Sequence, residues 1–85
     1  MKHAGAEALA RLGPLLKELR RRPLLREKRP GVFTLKSRAF LHFHEDPKGL
    51  FADVRLGGDD FTRLPVNSRA ERSALLKRID ERLSR

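Results

Sequence analysis

Residues 39–56 read Ala39-Phe40-Leu41-His42-Phe43-His44-Glu45-Asp46-Pro47-Lys48-Gly49-Leu50-Phe51-Ala52-Asp53-Val54-Arg55-Leu56, and their pattern decides the fold. On both sides of Asp46-Pro47-Lys48-Gly49, apolar and polar residues alternate with the period of a half-buried strand. Proline and glycine in so short a connection make a turn, so the two halves form an antiparallel hairpin. Ala39, Leu41 and Phe43 share one face of the first strand. Leu50, Ala52, Val54 and Leu56 share one face of the second. Folding about Asp46–Gly49 sets Phe43 opposite Ala52 and Leu41 opposite Val54, so both apolar sets meet on one side. The same register sets His42 opposite Asp53, His44 opposite Phe51 and Phe40 opposite Arg55 on the other side.

Two further strands flank this hairpin, Val32–Lys36 before it and Phe61–Val66 after it. They are set off by Lys36-Ser37-Arg38 and Gly57-Gly58-Asp59-Asp60. Connections this short demand a four-stranded antiparallel meander over residues 32–66. A two-residue and a three-residue first turn send Phe33 and Leu35 to opposite faces. Inward placement buries more apolar surface and is the expectation.

Outside the sheet the period changes. Leu9, Leu12, Leu16 and Leu19 recur at spacings of three and four, widened by Leu15, and predict a helix over residues 6–21. Pro14 falls inside the pattern and lacks a backbone donor. The helix therefore kinks there, or a first segment gives way to a helix with Pro14 in its first turn. Pro23 ends it, and residues 23–31 read as a basic connection whose Leu24 and Leu25 plug the edge of the core. After the sheet, Ser68-x-x-Glu71 is a capping box. Leu75, Leu76, Ile79 and Leu83 form the apolar stripe of a helix over residues 68–84.

The expected architecture is a single α+β domain over residues 1–85. It is a two-layer sandwich in the order α-β-β-β-β-α, with an antiparallel four-stranded meander and both helices on one face. Its core is expected to hold Leu12, Leu16, Leu19, Leu41, Phe43, Ala52, Val54, Leu64, Leu75, Leu76, Ile79 and Leu83.

With 85 residues the chain is long enough for one small core. It has no cysteine, which excludes disulfides and thiolate metal sites. Its short apolar runs fall far below a membrane span and show no signal peptide, so a cytoplasmic location and no membrane partner are expected. The net charge of +9 is unevenly placed. Residues 1–31 carry +6 and residues 67–85 carry +3, while residues 32–66 are neutral and hold all five phenylalanines. A basic surplus attracts phosphate polymers, and it also arises from surface charge that only serves solubility.

Three groups of residues could carry function. The first is the basic stretch Lys17, Arg20, Arg21, Arg22, Arg26, Lys28 and Arg29, a candidate set of phosphate anchors or a solvated helix end. The second is the outer sheet face with Phe40, Phe51 and Arg55, where rings interleaved with arginine suit single-stranded nucleic acid. The same face could instead cover a protein partner or a second copy of the chain. The third is His42, His44 and Asp53, a two-histidine-one-carboxylate set at an unspecific spacing that equally describes a cross-strand hydrogen-bonded pair. No serine is placed to complete a triad with His42 and Asp53, and Gly57-Gly58-Asp59-Asp60 lacks the Lys-Ser/Thr of a phosphate loop. The expectation is a non-catalytic module that binds nucleic-acid phosphate through Lys17, Arg20, Arg21, Arg22, Arg26, Lys28, Arg29, Phe40, Phe51 and Arg55, with no metal and no cofactor. Protein interaction or homodimerisation through the aromatic face is the alternative.

The first hairpin, Phe33-x-Leu35-x-Ser37-Arg38-x-Phe40 after Pro30-Gly31, resembles that of the YjbR-like proteins, small bacterial domains related in fold to frataxin. Their hairpin typically reads Phe-x-Val-x-Gly-Lys-x-Phe, and Glu27-Lys28 stands where they often carry a Glu-Lys pair. The resemblance covers about residues 24–56. This chain has Ser37-Arg38 in place of Gly-Lys, is shorter, and lacks the tryptophan-bearing late strand. The resemblance implies helix, sheet and helix with both helices on one sheet face. DNA binding has been suggested for such proteins, and the family offers no catalytic residues to carry over.

Overall fold

The computed structural model describes residues 2–85 and is an α+β protein. In chain order its elements are β1 (Lys2–His3), α1 (Ala6–Arg11), α2 (Gly13–Arg20), β2 (Leu25–Arg29), β3 (Val32–Leu35), β4 (Arg38–Asp46), β5 (Gly49–Val54), β6 (Thr62–Pro65) and α3 (Arg69–Leu83). All strand pairs are antiparallel, and the sheet runs β2-β3-β4-β5-β6. β1 pairs with the far end of β4, through Lys2 opposite Glu45 and His3 opposite His44. Among the described residues no helix is long and apolar enough to cross a membrane.

The central hairpin has the register expected from its alternation: Leu41 opposite Val54, His42 opposite Asp53, Phe43 opposite Ala52 and His44 opposite Phe51. Its apolar face joins Leu12, Leu15, Leu16 and Leu19 of the first helical segment with Leu75 and Ile79 of α3 in one buried cluster. Leu64, Leu76 and Leu83 were expected in this core and are only partly buried against it. Ala8 and Val66 are buried members that the periodicity did not single out.

The expectation of four strands is corrected to six. Residues 25–29, read as a connection, form β2, because Leu25 pairs with Leu35 and Glu27 with Phe33 along the edge of the meander. A strand rich in charge is stable there because an edge strand is solvated on one side. Leu25 is buried as expected, whereas Leu24 points to solvent. The helix over residues 6–21 is two helices that meet at Leu12. Pro14 lies in the first turn of α2, where a missing N–H leaves no hydrogen bond unmade. The Ser68–Glu71 capping box is formed in both directions: the Glu71 N–H donates to Ser68 Oγ at 3.0 Å, and the Ser68 N–H donates to Glu71 Oε1 at 2.9 Å.

Phe40 is the main departure on the sheet. The β3–β4 turn is the two-residue Lys36-Ser37, both at positive φ (53° and 69°), which closes Leu35 opposite Arg38 and Thr34 opposite Ala39. A regular ladder would continue with Phe33 opposite Phe40, on the outer face. Instead Phe33 pairs with Leu41, and Phe40 is a bulged residue without a partner. The bulge lets a tight turn coexist with inward Phe33 and Leu35, and it carries Phe40 into the buried cluster, where it is 2% exposed. Phe40 still faces Arg55 through its backbone, accepting the Arg55 N–H at 2.9 Å. Its ring is nevertheless not part of the outer face.

Candidate functional site

The basic stretch divides into paired and unpaired cations. At the end of α2, Arg20 donates to both carboxylate oxygens of Glu27 on β2, at 2.6 and 3.0 Å. Arg22 makes the same fork with Asp80 of α3, at 2.8 and 2.9 Å, and also donates to the Glu18 carbonyl at 2.7 Å. Arg21 donates to Glu18 Oε2 at 3.2 Å. Arg20 and Arg22 therefore fasten α2 to β2 and to α3. Their guanidinium groups hold Glu27 and Asp80 below the usual carboxylate pKa range. Lys17, Arg26, Lys28 and Arg29 are exposed and pair with no carboxylate among the described residues. The last three lie together on edge strand β2.

The aromatic component is smaller than expected. Phe40 is buried. The Arg55 guanidinium carbon sits 4.4 Å from the centre of the Phe61 ring, and its Nε donates to the Ala39 carbonyl at 2.9 Å, so this side chain is engaged within the fold. Phe51 keeps a partly exposed ring on the outer face, on β5. Three strand spacings separate it from β2, roughly 14 Å, so the unpaired cations and this ring do not form one continuous surface.

Around Asp53 the outer face brings together groups from four strands. Arg63 on β6 donates to Oδ1 and Oδ2 of Asp53 at 2.8 Å each. That fork is the chief cause of an Asp53 pKa below the usual carboxylate range. His44 Nε2 lies 3.0 Å and His42 Nε2 3.5 Å from Asp53 Oδ2. The closer approach lacks hydrogen-bond alignment, and both ring nitrogens of His44 are buried without a hydrogen-bond partner among the described residues. Burial pushes the His42 pKa below the usual imidazole range, and the neighbouring His44 adds to this against the opposing pull of Asp53. The His42 ring meets Phe61 edge-on at 5.0 Å.

His3 is the residue that sequence reasoning missed. Its ring lies 4.7 Å from that of His44 and 5.7 Å from that of His42. Nothing in the periodicity ties residue 3 to residue 44. The link is the β1–β4 pairing, continued by the Ala4 N–H donating to the Phe43 carbonyl at 3.0 Å and the Gly5 N–H donating to Glu45 Oε2 at 2.7 Å.

Compared with known proteins, the chain matches no family model, no curated protein and no solved structure.

Proposed function

We propose that the protein is a non-catalytic binding module for nucleic-acid phosphate, with Arg26, Lys28 and Arg29 on β2 and Lys17 on α2 as its anchors. The observation that carries this reading is the edge strand with three exposed, unpaired cations on a chain of net charge +9. An unpaired guanidinium or ammonium releases a condensed counterion when it meets phosphate without first breaking an internal ion pair. Arg20, Arg21 and Arg22 would have to give up Glu27, Glu18 and Asp80, and so contribute less.

Four anchors set the scale of the test. The slope of log affinity against log salt should be about −3.6 for duplex DNA and about −2.8 for a single strand, against about −6 if all seven cations took part. Changing Lys17, Arg26, Lys28 and Arg29 to Gln should bring the slope close to zero with circular dichroism unchanged. Changing Arg20 and Arg22 should instead lower stability first. A folded quadruple variant that keeps the wild-type slope overturns the assignment. So does salt-independent self-association of the wild type that is lost in Phe51→Ala, which is the signature of the alternative aromatic interface.

A further inference from the structure

We propose that His3, His42, His44 and Asp53 form a binding site for a borderline divalent transition-metal ion, of which zinc is the type, and that the ion pins the N-terminal strand β1 to the sheet. Three observations converge on it. The candidate donor atoms of His42, His44 and Asp53 all lie within 4.8 Å of one another. The two histidine-to-carboxylate separations, 3.0 and 3.5 Å, bracket the edge of about 3.3 Å that a tetrahedral zinc site sets between ligands bound at about 2.0–2.1 Å. The third observation is the pair of buried, unpartnered nitrogens on His44.

The simpler arrangement, a histidine hydrogen-bonded to a carboxylate across two strands, leaves these observations unexplained. His42 is too far from Asp53 for a good hydrogen bond, and His44 is close but misaligned. Buried imidazole nitrogens are ordinarily satisfied, and here Nε2 lies near one carboxylate oxygen while the ring neighbours two further imidazoles. Asp53 is already supplied with two donors by Arg63, whose fork fixes the carboxylate plane and leaves Oδ2 turned toward the histidines. A carboxylate that ligates a metal is itself usually held by hydrogen bonds of this kind. Nitrogen donors with one carboxylate suit zinc over magnesium or calcium, which take oxygen. His3 stands beside this three-residue set rather than within it, its ring 4.7 Å from that of His44 on an element held by a two-residue ladder, so a fourth bond gained by its approach would fasten β1. Four protein ligands leave no open position, so the ion has a structural role.

The test uses the untagged full chain freed of metal by chelator and titrated with zinc chloride and with cobalt chloride. Expected results are one ion per chain by calorimetry, the visible absorption of tetrahedral cobalt, and a zinc-dependent rise in Tm. Zinc should also slow amide exchange at residues 3–5. His44→Gln and His42→Gln should abolish the cobalt spectrum and the Tm rise. His3→Ala removes an exposed side chain and so leaves the metal-free Tm unchanged. It should weaken zinc binding at least tenfold and abolish the protection of residues 3–5. Absence of zinc binding by the wild type, or wild-type binding by a folded His42→Gln or His44→Gln, overturns the site. Should those variants not fold, undiminished zinc affinity in His3→Ala overturns the four-ligand assignment. None of these substitutions touches the β2 cations, so oligonucleotide affinity is unchanged by all of them.

Discussion

Truncating Phe40 to alanine tests the bulge on which the outer face depends. If the β3–β4 ladder were regular, Phe40 would stand beside Arg55 in solvent and its loss would cost little. With Phe40 bulged, the ring is 2% exposed in the main apolar cluster. Phe→Ala at such a site costs about 3–5 kcal/mol, from lost transfer energy and the cavity left behind. At roughly 0.05–0.15 kcal/mol per residue, a chain of 85 residues has a total stability of about 4–13 kcal/mol. The substitution therefore removes a large share of the stability. At about 4–8 °C per kcal/mol for a domain this small, Tm should fall by at least ~12 °C. Phe51→Ala provides the internal standard: its ring is partly exposed, and its loss should cost no more than ~2 kcal/mol. The assay is thermal unfolding followed by circular dichroism for wild type and both variants. A Phe40→Ala cost equal to or below that of Phe51→Ala would refute the bulge, return Phe40 to the outer face and restore the continuous aromatic surface.

Two further outcomes follow from the geometry. Lys36 and Ser37 hold positive φ in a two-residue turn, a conformation that Asn-Gly adopts with less strain. Lys36→Asn combined with Ser37→Gly should thus raise stability by about 1 kcal/mol, and a lowered Tm would contradict the turn. Asp53, Glu27 and Asp80 have folded pKa values below their unfolded ones, chiefly through the arginine forks, so the unfolded chain binds more protons as pH falls. His42, lowered by burial, acts in the same direction at higher pH. In chelator, stability should therefore be complete above the ordinary imidazole range. It should begin to fall below about pH 6.5 as the unfolded His42 takes its proton, and drop more steeply below about pH 4.5. Melting curves across pH 3–8 check this, and a Tm that rises on acidification from pH 7 to 5 would refute it.

Much of this was legible locally. Alternation over residues 39–56 was enough to set the register of β4 and β5, because a one-residue slip would move every apolar side chain to solvent. Ser68 and Glu71 marked the start of α3 because a capping box is written within four residues. The placing of His42 opposite Asp53, with His44 on the same face, followed from the register alone, whereas the closer approach of His44 did not. The tertiary structure decided what depends on partners remote in sequence. β2 exists because Leu35 and Phe33 present a ladder to residues 25–27, although its own sequence reads as a charged connection. Phe40 is buried because one bulge reconciles a two-residue turn with an inward Phe33. Arg20 and Arg22 are bound into ion pairs because the folded chain returns Glu27 and Asp80 to the end of α2, 7 and 58 residues away. His3 joins His44 across 41 positions through a two-residue strand too short to have a period. Periodicity records which face an element buries. Which distant group it meets there is set only when the chain closes on itself.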